Sequence, residues 1–360
     1  MPISLSPRAA WDILAWLGIL FVLAHAFIWL RTQGSFFNLV KLVYGFDTLV
    51  MPLIGAVAGG CGLYVCLRGQ GSRWLRRVSL FVLGCSILAP SVRFYAGHVE
   101  AHWLVVRRVV IETPKVTQPV RILHVSDIQS DAVGKYEERV FARIRELRPD
   151  LIVHTGDLLQ PVRPATLASE WPKIAALLRT LNPPGGVFHV MGDVDGWMNP
   201  EILAGAGPLR LLSAQETTVT QPGARLRIYG LAQEQDMRWF QSRAAIAQWR
   251  RKAAPDEFTI LLGHHPDYVM GISDVPVDLC LAGHTHGGQI RIPFVGPIVT
   301  LSYVPRSWAR GFRKVGVTRL NVSAGIGCEH ASQLPSMRLF CPPEMTLIEL
   351  RPAPTPAPNP

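Results

Sequence analysis

The stretch LAGHTHGG at residues 281–288 places two imidazoles and three glycines directly after an apolar run. Four stretches of the same kind precede it: HVSDIQSD at 124–131, HTGDLL at 154–159, VMGDVDG at 190–196 and LLGHHPD at 261–267. Each puts a carboxylate, amide or imidazole at the end of a short apolar segment. Such segments, bounded by glycine and polar residues, are typical of buried strands. The sequence therefore predicts five strand ends that carry ligand-type side chains.

The order of helices and strands around these stretches predicts an α/β domain. The five strand-like runs, with two further alternating runs, are residues 120–125, 151–154, 186–191, 258–262, 277–281, 225–231 and 318–323. Apolar residues at helical spacing predict helices over 136–147 and 166–181. In an open α/β sheet, loops at the carboxyl ends of strands converge on one crevice. We therefore expect the five stretches to build one site, although they are distant in sequence.

In these stretches the chain resembles the calcineurin-like metallophosphoesterases, and among them a bacterial branch with membrane-anchored members. The resemblance covers residues 119–350, including the late segment LPSMRLFCPPEMTLIEL at 334–350. A single GHTH motif is weakly specific, whereas five such stretches in this order are specific. The resemblance implies a two-sheet sandwich flanked by helices, and about 230 residues suffice to bury such a core.

The resemblance also implies a site for two divalent metal ions, Mn, Fe, Zn or Co. The residues implied as ligands are Asp127, Gln129, Asp157 and His286 for one ion, and the bridging Asp157 with Asp193, His264 and His284 for the other. Mixed carboxylate and imidazole donors suit these metals better than calcium. Paired metal ions lower the pKa of a water and neutralise charge on a phosphoryl group, so the implied reaction is hydrolysis of a phosphoester or phosphoanhydride.

Three residues depart from the family pattern. Gln129 stands where His is usual, and its neutral amide oxygen is a poorer donor, which weakens the expected affinity for the first ion. Asp193 stands where Asn is usual, and its added negative charge favours retained metal binding. Val194 stands where a catalytic His is usual, and Val cannot protonate a leaving oxygen. Asp195 thus lacks its usual imidazole partner, and catalytic roles are assigned to Asp157 and Asp195.

The missing His bears on the substrate. A leaving alkoxide is a strong base that benefits from a proton donor, whereas a leaving phosphate is a weak base near neutral pH. Val194 therefore favours a phosphoanhydride or an activated diester over a simple alkyl phosphate. One alternative is a pyrophosphatase of the type that cleaves UDP-2,3-diacylglucosamine in lipid A synthesis, which resembles this chain in lacking the His. Two others are a catalytically weak relative that binds phospholipid and a membrane sensor with a structural metal site.

Other ligand-type residues near the strands have simpler interpretations. Asp and His close to strand ends are often turn or capping residues. His265 is expected to pack or to support a ligand, and Asp131 is expected to be a solvated loop carboxylate. His124, His154 and His189 lie within or at the ends of apolar strands, so we interpret them as packed or hydrogen-bonded histidines.

The first hundred residues predict a membrane region. Residues 13–30 and 48–67 are apolar runs long enough to span a bilayer. Residues 78–98 form a third candidate, interrupted by Pro90 and Arg93. Two apolar runs follow the first, which favours a retained anchor over a cleaved signal peptide.

Basic residues predict the orientation of a multi-pass protein of the inner membrane. Four arginines lie in residues 68–77, whereas residues 31–46 hold only Arg31 and Lys41, so 68–77 and the amino terminus are expected in the cytoplasm. With three spans the catalytic domain lies outside the cytoplasm, which we favour; with two it stays inside. UDP-linked lipid precursors are expected inside, so the two topologies predict different substrates.

The charge distribution points to lipids as partners. Residues 1–110 hold ten Lys or Arg against three acidic residues, which is +7 of the chain's formal charge of +10. Membrane lipids with anionic headgroups are the expected partner of this region, and a phosphorylated lipid or nucleotide-linked lipid is the expected substrate. No Lys/Arg-rich tract in the catalytic region indicates nucleic-acid binding.

The predicted organisation is a transmembrane region at 1–98, a connector at 99–118, a metallophosphoesterase domain at 119–350 and a disordered Pro-rich tail at 351–360.

Overall fold

The computed structural model describes residues 5–32, 36–199, 201–202, 205–330 and 336–353. The chain divides into two compact units, of which one comprises Met1–Val99 with His330–Ser336 and the other Glu100–Glu329 with Met337–Pro360. The first unit is built from helices, and the second contains two large sheets.

The first unit consists of helices, of which three match the predicted apolar runs and a fourth, Phe36–Gly45, lies between the first two of those runs, where a loop was predicted. Its α-helices are α1 (Pro7–Thr32), α2 (Phe36–Gly45), α3 (Met51–Leu67) and α4 (Arg73–Phe94). Among the described residues, three helical stretches are long and apolar enough to cross a membrane: Pro7–Thr32, Lys41–Leu67 and Arg73–His102. The third predicted run is therefore part of a long helix that continues through Pro90.

Small residues set the close packing of α3 on α4. A side chain at Gly59 would come within 2.9 Å of the Ser79 carbonyl oxygen and 2.8 Å of the Leu83 side chain. Glycines at 55 and 62 likewise face Ser86 and Ser79. Small residues at such spacing let helix backbones approach closely, as in helices packed within membranes.

The second unit contains two six-stranded sheets. The first has the order β1 (Val105–Thr113), β14 (Glu344–Pro352), β2 (Val120–Val125), β3 (Leu151–His154), β4 (Val187–His189), β5 (Leu209–Leu211). The second has the order β12 (Gly311–Val315), β13 (Thr318–Val322), β9 (Leu279–Ala282), β8 (Glu257–Leu262), β7 (Ala224–Gly230), β6 (Gln215–Gln221). A short antiparallel pair, β10 (Arg291–Ile292) and β11 (Gly296–Pro297), lies outside them.

The core lies between the two sheets, and helices cover their outer faces. Ile122, Phe188, Ile228 and Ile260 belong to one buried apolar cluster that joins strands of both sheets. Helices α5 (Lys135–Glu146) and α6 (Leu167–Leu178) contribute side chains to a cluster with the first sheet, while α8 (Trp239–Arg251), which follows the short α7 (Gln233–Met237), contributes to a cluster with the second. This arrangement confirms the predicted two-sheet α/β sandwich.

Strand β1 was not predicted from the sequence. It lies within residues 99–118, for which a connector was predicted, and pairs in parallel with β14 over its whole length. The consecutive Arg107 and Arg108 interrupt the apolar alternation by which a strand is recognised. Arg107 forms an ion pair with the buried Glu344 of β14. The charge that interrupts the apolar pattern in the sequence is therefore neutralised by a partner in the folded structure.

Strand β14 also changes the boundary of the predicted tail. It extends to Pro352, so the first two residues of the predicted disordered tail belong to the sheet. Residues 354–360 lie outside the described residues.

Candidate metal centre

Parallel strands deliver the predicted ligands to one end of each sheet. Strands β2, β3 and β4 run parallel in the first sheet, and β7, β8 and β9 run parallel in the second. Directly after β2, β3 and β9 the backbone turns through left-handed residues: Asp127 (φ 47°), Asp157 (φ 62°), His284 (φ 65°) and His286 (φ 47°). Non-glycine residues rarely adopt this conformation, and such residues concentrate at functional sites.

Three predicted ligands form a first cluster. One ligand atom from each of Asp127, Asp157 and His286 lies within 4.8 Å of the others, and all three residues are buried. His286 Nε2 lies 3.6 Å from Asp127 Oδ1. Two carboxylates and an imidazole in this arrangement can bind a divalent transition metal.

The remaining predicted carboxylate and imidazole ligands form a second cluster, together with His265. Asp193, His264, His265 and His284 bring ligand atoms within 4.8 Å of one another. Asp193 Oδ2 lies 3.0 Å from His284 Nδ1 and 3.8 Å from His264 Nε2. Asp193 is the most exposed of the four, so the second cluster opens toward solvent.

Asp157 links the two clusters. Its Oδ2 atom lies 3.3 Å from His264 Nε2 of the second cluster, while the residue also belongs to the first. Its Oδ1 atom accepts a hydrogen bond from the backbone N–H of Val194 at 2.9 Å. This position is the one expected of the predicted bridging ligand.

Unpartnered polar atoms show that the residues present fit two metal ions. Within the described part of the chain, Asp127 Oδ2, Gln129 Oε1, His264 Nε2 and His286 Nε2 are buried and have no hydrogen-bond partner. Leaving a buried polar atom without a partner is costly, and nearly all such atoms in folded proteins are satisfied. Cation coordination would satisfy all four atoms at once.

Hydrogen bonds behind the imidazoles fix which nitrogen faces the site. His264 Nδ1 lies 2.7 Å from the Thr155 carbonyl oxygen, and His284 Nε2 lies 2.7 Å from the Leu301 carbonyl oxygen. In both pairs the ring nitrogen must donate, which leaves the other nitrogen as an acceptor. This is the usual way in which metal-binding histidines are oriented.

Gln129 presents its amide oxygen to the site for a similar reason. Its Nε2 group donates to Glu329 Oε2 at 3.0 Å and to Gln160 Oε1 at 3.1 Å, which turns the unpartnered Oε1 away from them. Sequence reasoning missed Glu329 and Gln160. Glu329 lies 200 residues from Gln129, and no local pattern marks it.

His265 lies within the second cluster, although it was predicted only to pack or to support a ligand. Its Nε2 atom lies 3.0 Å from Asp193 Oδ1, and its ring stacks on that of His284 with centroids 3.6 Å apart. Its Nδ1 atom lies 3.7 Å from Asp267 Oδ2. The HHPD stretch carried the signal, since His265 is adjacent to the predicted ligand His264.

Asp195 occupies a different place from the ligands. Its carboxylate is buried and accepts three backbone hydrogen bonds, from Asp157 N at 2.7 Å, Gly192 N at 2.9 Å and Leu158 N at 2.8 Å. Burial and the nearby Asp157 carboxylate raise the pKa of Asp195 to about 7, against the effect of the three N–H donors. Asp195 therefore holds the loop that carries Asp157 through backbone hydrogen bonds, and the catalytic role predicted for it stays a prediction.

The electrostatics of the cluster favour positive charge between the carboxylates. Burial raises the pKa of Asp157, but the neighbouring His264 outweighs burial and the pKa falls to about 2. Burial lowers the pKa of His264, but the carboxylates of Asp157, Asp127 and Asp193 outweigh it and the pKa lies well above its usual value. Divalent metal ions supply the same charge in place of protons, so their binding would release protons.

The three strand histidines are packed and hydrogen-bonded, as predicted. His124 contacts Thr155 Oγ1 at 2.9 Å and Asn321 Nδ2 at 2.8 Å. His154 and His189 meet through their Nδ1 atoms at 2.9 Å. All three are buried, and burial lowers their pKa.

Comparison with known proteins agrees with this site. Residues 120–288 match the family model described as calcineurin-like phosphoesterase. The uncharacterized metallophosphoesterase YkuE of Bacillus subtilis is 30% identical over 267 residues, which cover 71% of this chain and 89% of that protein. The chain belongs to the calcineurin-like phosphoesterase family. It is a metallophosphoesterase, and so a hydrolase.

Two further relatives of this metallophosphoesterase have more specific names. The phosphodiesterase YaeI of Escherichia coli is 27% identical over 299 residues, which cover 76% of this chain and 98% of that protein. The UDP-2,3-diacylglucosamine pyrophosphatase LpxG of Chlamydia muridarum is 24% identical over 262 residues, which cover 58% of this chain and 77% of that protein.

Proposed function

We propose that this metallophosphoesterase is a multi-pass membrane enzyme that uses two metal ions to hydrolyse a phosphodiester or phosphoanhydride bond of a lipid-linked substrate. The observation that carries the proposal is the pair of adjoining His/Asp clusters that meet at Asp157. The three helices able to cross a membrane support a substrate that is itself held in a bilayer.

The proposed assignment of the metal ligands follows the two clusters. Asp127, Gln129, Asp157 and His286 would hold one ion, and Asp157, Asp193, His264 and His284 the other. When bound, paired ions lower the pKa of a water, orient the phosphoryl oxygens and neutralise the charge that develops on them. Other residues of the chain orient the ligands. Glu329 accepts from the Gln129 amide and so fixes its orientation, and Asp195 fixes the loop that carries Asp157.

Val194 supports a substrate with a good leaving group. Its backbone N–H binds Asp157, and its side chain offers no proton to a leaving oxygen. A leaving phosphate or activated alkoxide needs less of that help than a simple alkoxide does. The proposed reaction is therefore cleavage of an anhydride or an activated diester.

A second candidate is a pyrophosphatase of the UDP-2,3-diacylglucosamine type. Val194 favours it, and LpxG, a relative named for that activity, is 24% identical, although YkuE is more similar at 30%. This candidate needs the catalytic domain in the cytoplasm. Three spans with residues 68–77 inside would instead place the domain outside, where a phospholipid is the expected substrate.

Turnover by the purified, manganese-loaded protein tests the proposal. We expect hydrolysis of nucleotide diphosphate lipids to exceed that of alkyl phosphate monoesters, and activity to vanish in Asp157→Ala and His284→Ala. Faster hydrolysis of the monoesters would contradict the substrate assignment, and lipid binding without turnover would identify a catalytically weak relative. A reporter fused after residue 351 separates the two candidates, because a cytoplasmic signal favours the nucleotide-linked lipid.

A further inference from the structure

Residues 292–303 form an apolar loop on the surface of the catalytic unit. Across the described residues from 100 to 353, fourteen large apolar side chains are exposed, and seven of them lie within these twelve residues. Phe294, at the tip between β10 and β11, is fully exposed, and Tyr303 is 84% exposed. Single exposed apolar residues are ordinary, but a concentration of this kind marks an interaction site.

The backbone at the tip holds Phe294 outward. Phe294 has φ 67°, a left-handed conformation that a bulky non-glycine residue rarely adopts. The adjoining Pro293 and Val295 are exposed as well. The chain therefore uses a strained turn to present an aromatic ring to its surroundings, and nothing within the described catalytic unit buries that ring.

Positive charge surrounds this apolar loop. Arg291, Arg306 and Phe340 line the same open cavity as Phe294 and Val295, with a volume of about 460 Å³. Residues 290–314 contain four arginines and one lysine, and no acidic residue occurs between Asp278 and Glu329. Apolar tips flanked by basic residues suit the interface of a bilayer with anionic lipids.

Hydrogen bonds connect the apolar loop and the adjoining Arg291 to residues of the candidate metal centre. The Leu301 carbonyl oxygen accepts from His284 Nε2, and Tyr303 N donates to Asp267 Oδ1 at 2.7 Å. Arg291 Nη1 donates to the Gly287 carbonyl oxygen at 2.7 Å, directly after the ligand His286. Any surface that binds the outer side of the loop therefore lies beside the candidate ligands.

We infer that residues 292–303 are a bilayer-docking loop, which inserts its apolar tip among the lipids while Arg291 and Arg306 bind anionic headgroups. The loop would hold the metal centre at the level of lipid phosphates. This consequence for the substrate rests on the proposed function, whereas the docking itself does not. A second copy of the chain or a protein ligand is less well matched, because these arginines have no acidic neighbours within the segment.

Fluorescence quenching in the full-length protein tests the docking. Phe294 is replaced by the environment-sensitive amino acid Anap (Phe294→Anap), and the chain is reconstituted at one copy per nanodisc of phosphatidylcholine and phosphatidylglycerol with nitroxide-labelled lipid. Because interfacial segments lie within roughly 5–10 Å of the acyl boundary, we expect about a twofold loss of emission. The Arg291→Gln, Arg306→Gln background should lose most of this quenching.

Val317→Anap is the matched control. Val317 is 55% exposed and directly precedes β13, which runs parallel to β9, so it lies at the end of the second sheet opposite to the site. Its emission should be unaffected by the labelled lipid. Equal quenching at both positions, or none at Phe294, would overturn the inference. A second preparation with several copies per nanodisc identifies contacts between chains: quenching at Phe294 that appears only in that preparation would also overturn the inference. The readout needs no turnover, so it stands apart from a failure of the proposed activity.

Discussion

Removing Asp157 should empty both metal positions, whereas removing either neighbouring carboxylate should empty one. Asp157 belongs to the first cluster and its Oδ2 atom lies 3.3 Å from His264 Nε2 of the second. Asp127 belongs only to the first cluster, and Asp193 only to the second. The three alanine variants therefore have different expected metal contents.

The expected loss of metal affinity in Asp157→Ala follows from the position of this carboxylate between the two clusters. Losing a residue that only supports a metal ligand lowers affinity about 10–100-fold. Losing the shared ligand itself should exceed about 100-fold at each position, or about 2.7 kcal/mol. At manganese concentrations that just saturate the unaltered protein, Asp157→Ala should then hold almost no metal.

Metal content after equilibrium dialysis, measured by mass spectrometry, checks this expectation. The unaltered chain should bind two ions, Asp127→Ala and Asp193→Ala about one each, and Asp157→Ala close to none. Asp150→Ala is the control, because Asp150 directly precedes β3, at the end opposite to the site, and its side-chain carboxylate accepts from the Arg121 backbone N–H at 2.7 Å. Two ions retained in Asp157→Ala would refute the shared-ligand geometry.

Three further predictions concern orientation, pH and the leaving group. Glu329→Gln should lower the affinity for the first metal ion about 10–100-fold, because a neutral partner no longer holds the Gln129 amide in one orientation. Calorimetric titration with manganese measures this affinity, and an unaltered value would contradict the prediction. Burial lowers the pKa of His124 and His189 to about 3 in the folded protein, below the usual value of about 6.5 in the unfolded chain. At these two rings the unfolded state therefore binds more protons below pH 6.5, and each His should cost about 2 kcal/mol of stability between pH 6.5 and 5. Comparing the apparent Tm of the unaltered protein with that of His124→Gln across this pH range isolates the cost of one ring, and an identical pH dependence of the two would be inconsistent with a neutral buried ring. Val194→His should raise turnover of alkyl phosphodiesters relative to anhydrides by up to about 100-fold, and an unchanged ratio of kcat/KM values would count against the leaving-group argument.

The sequence predicted the parts of the site that depend on local pattern. Strands β2 and β3 have the predicted bounds because they are short apolar runs that end in Asp-containing turns. Helix α6 begins one residue late, since Thr166 caps it by accepting from the Ser169 N–H. In both cases the deciding interactions lie within a few residues of one another.

Contacts between distant residues could not be predicted in the same way. The bond from Gln129 to Glu329 depends on two loops meeting across the fold, and neither loop shows a pattern of its own. The orientation of the Asp195 carboxylate could not be predicted either. Asp195 lies in the same short stretch as the predicted ligand Asp193, but its carboxylate accepts hydrogen bonds from backbone N–H groups of the loop after β3. Residue type and spacing therefore predict which side chains gather, and the fold decides which atoms face the centre.

The apolar loop and the candidate ligands together restrict the substrate more than either does alone. A soluble phosphoester would reach Asp193 from solvent and would need no exposed Phe294 beside the site. A phosphate within a bilayer lies at a fixed depth, so an enzyme must bring its metal centre to that depth, and a loop bonded to His284 can do so. Membrane spans alone would tether the domain without setting this distance. The combination therefore favours a lipid phosphate on either side of the membrane, and the topology of the third helix then decides which lipids are available.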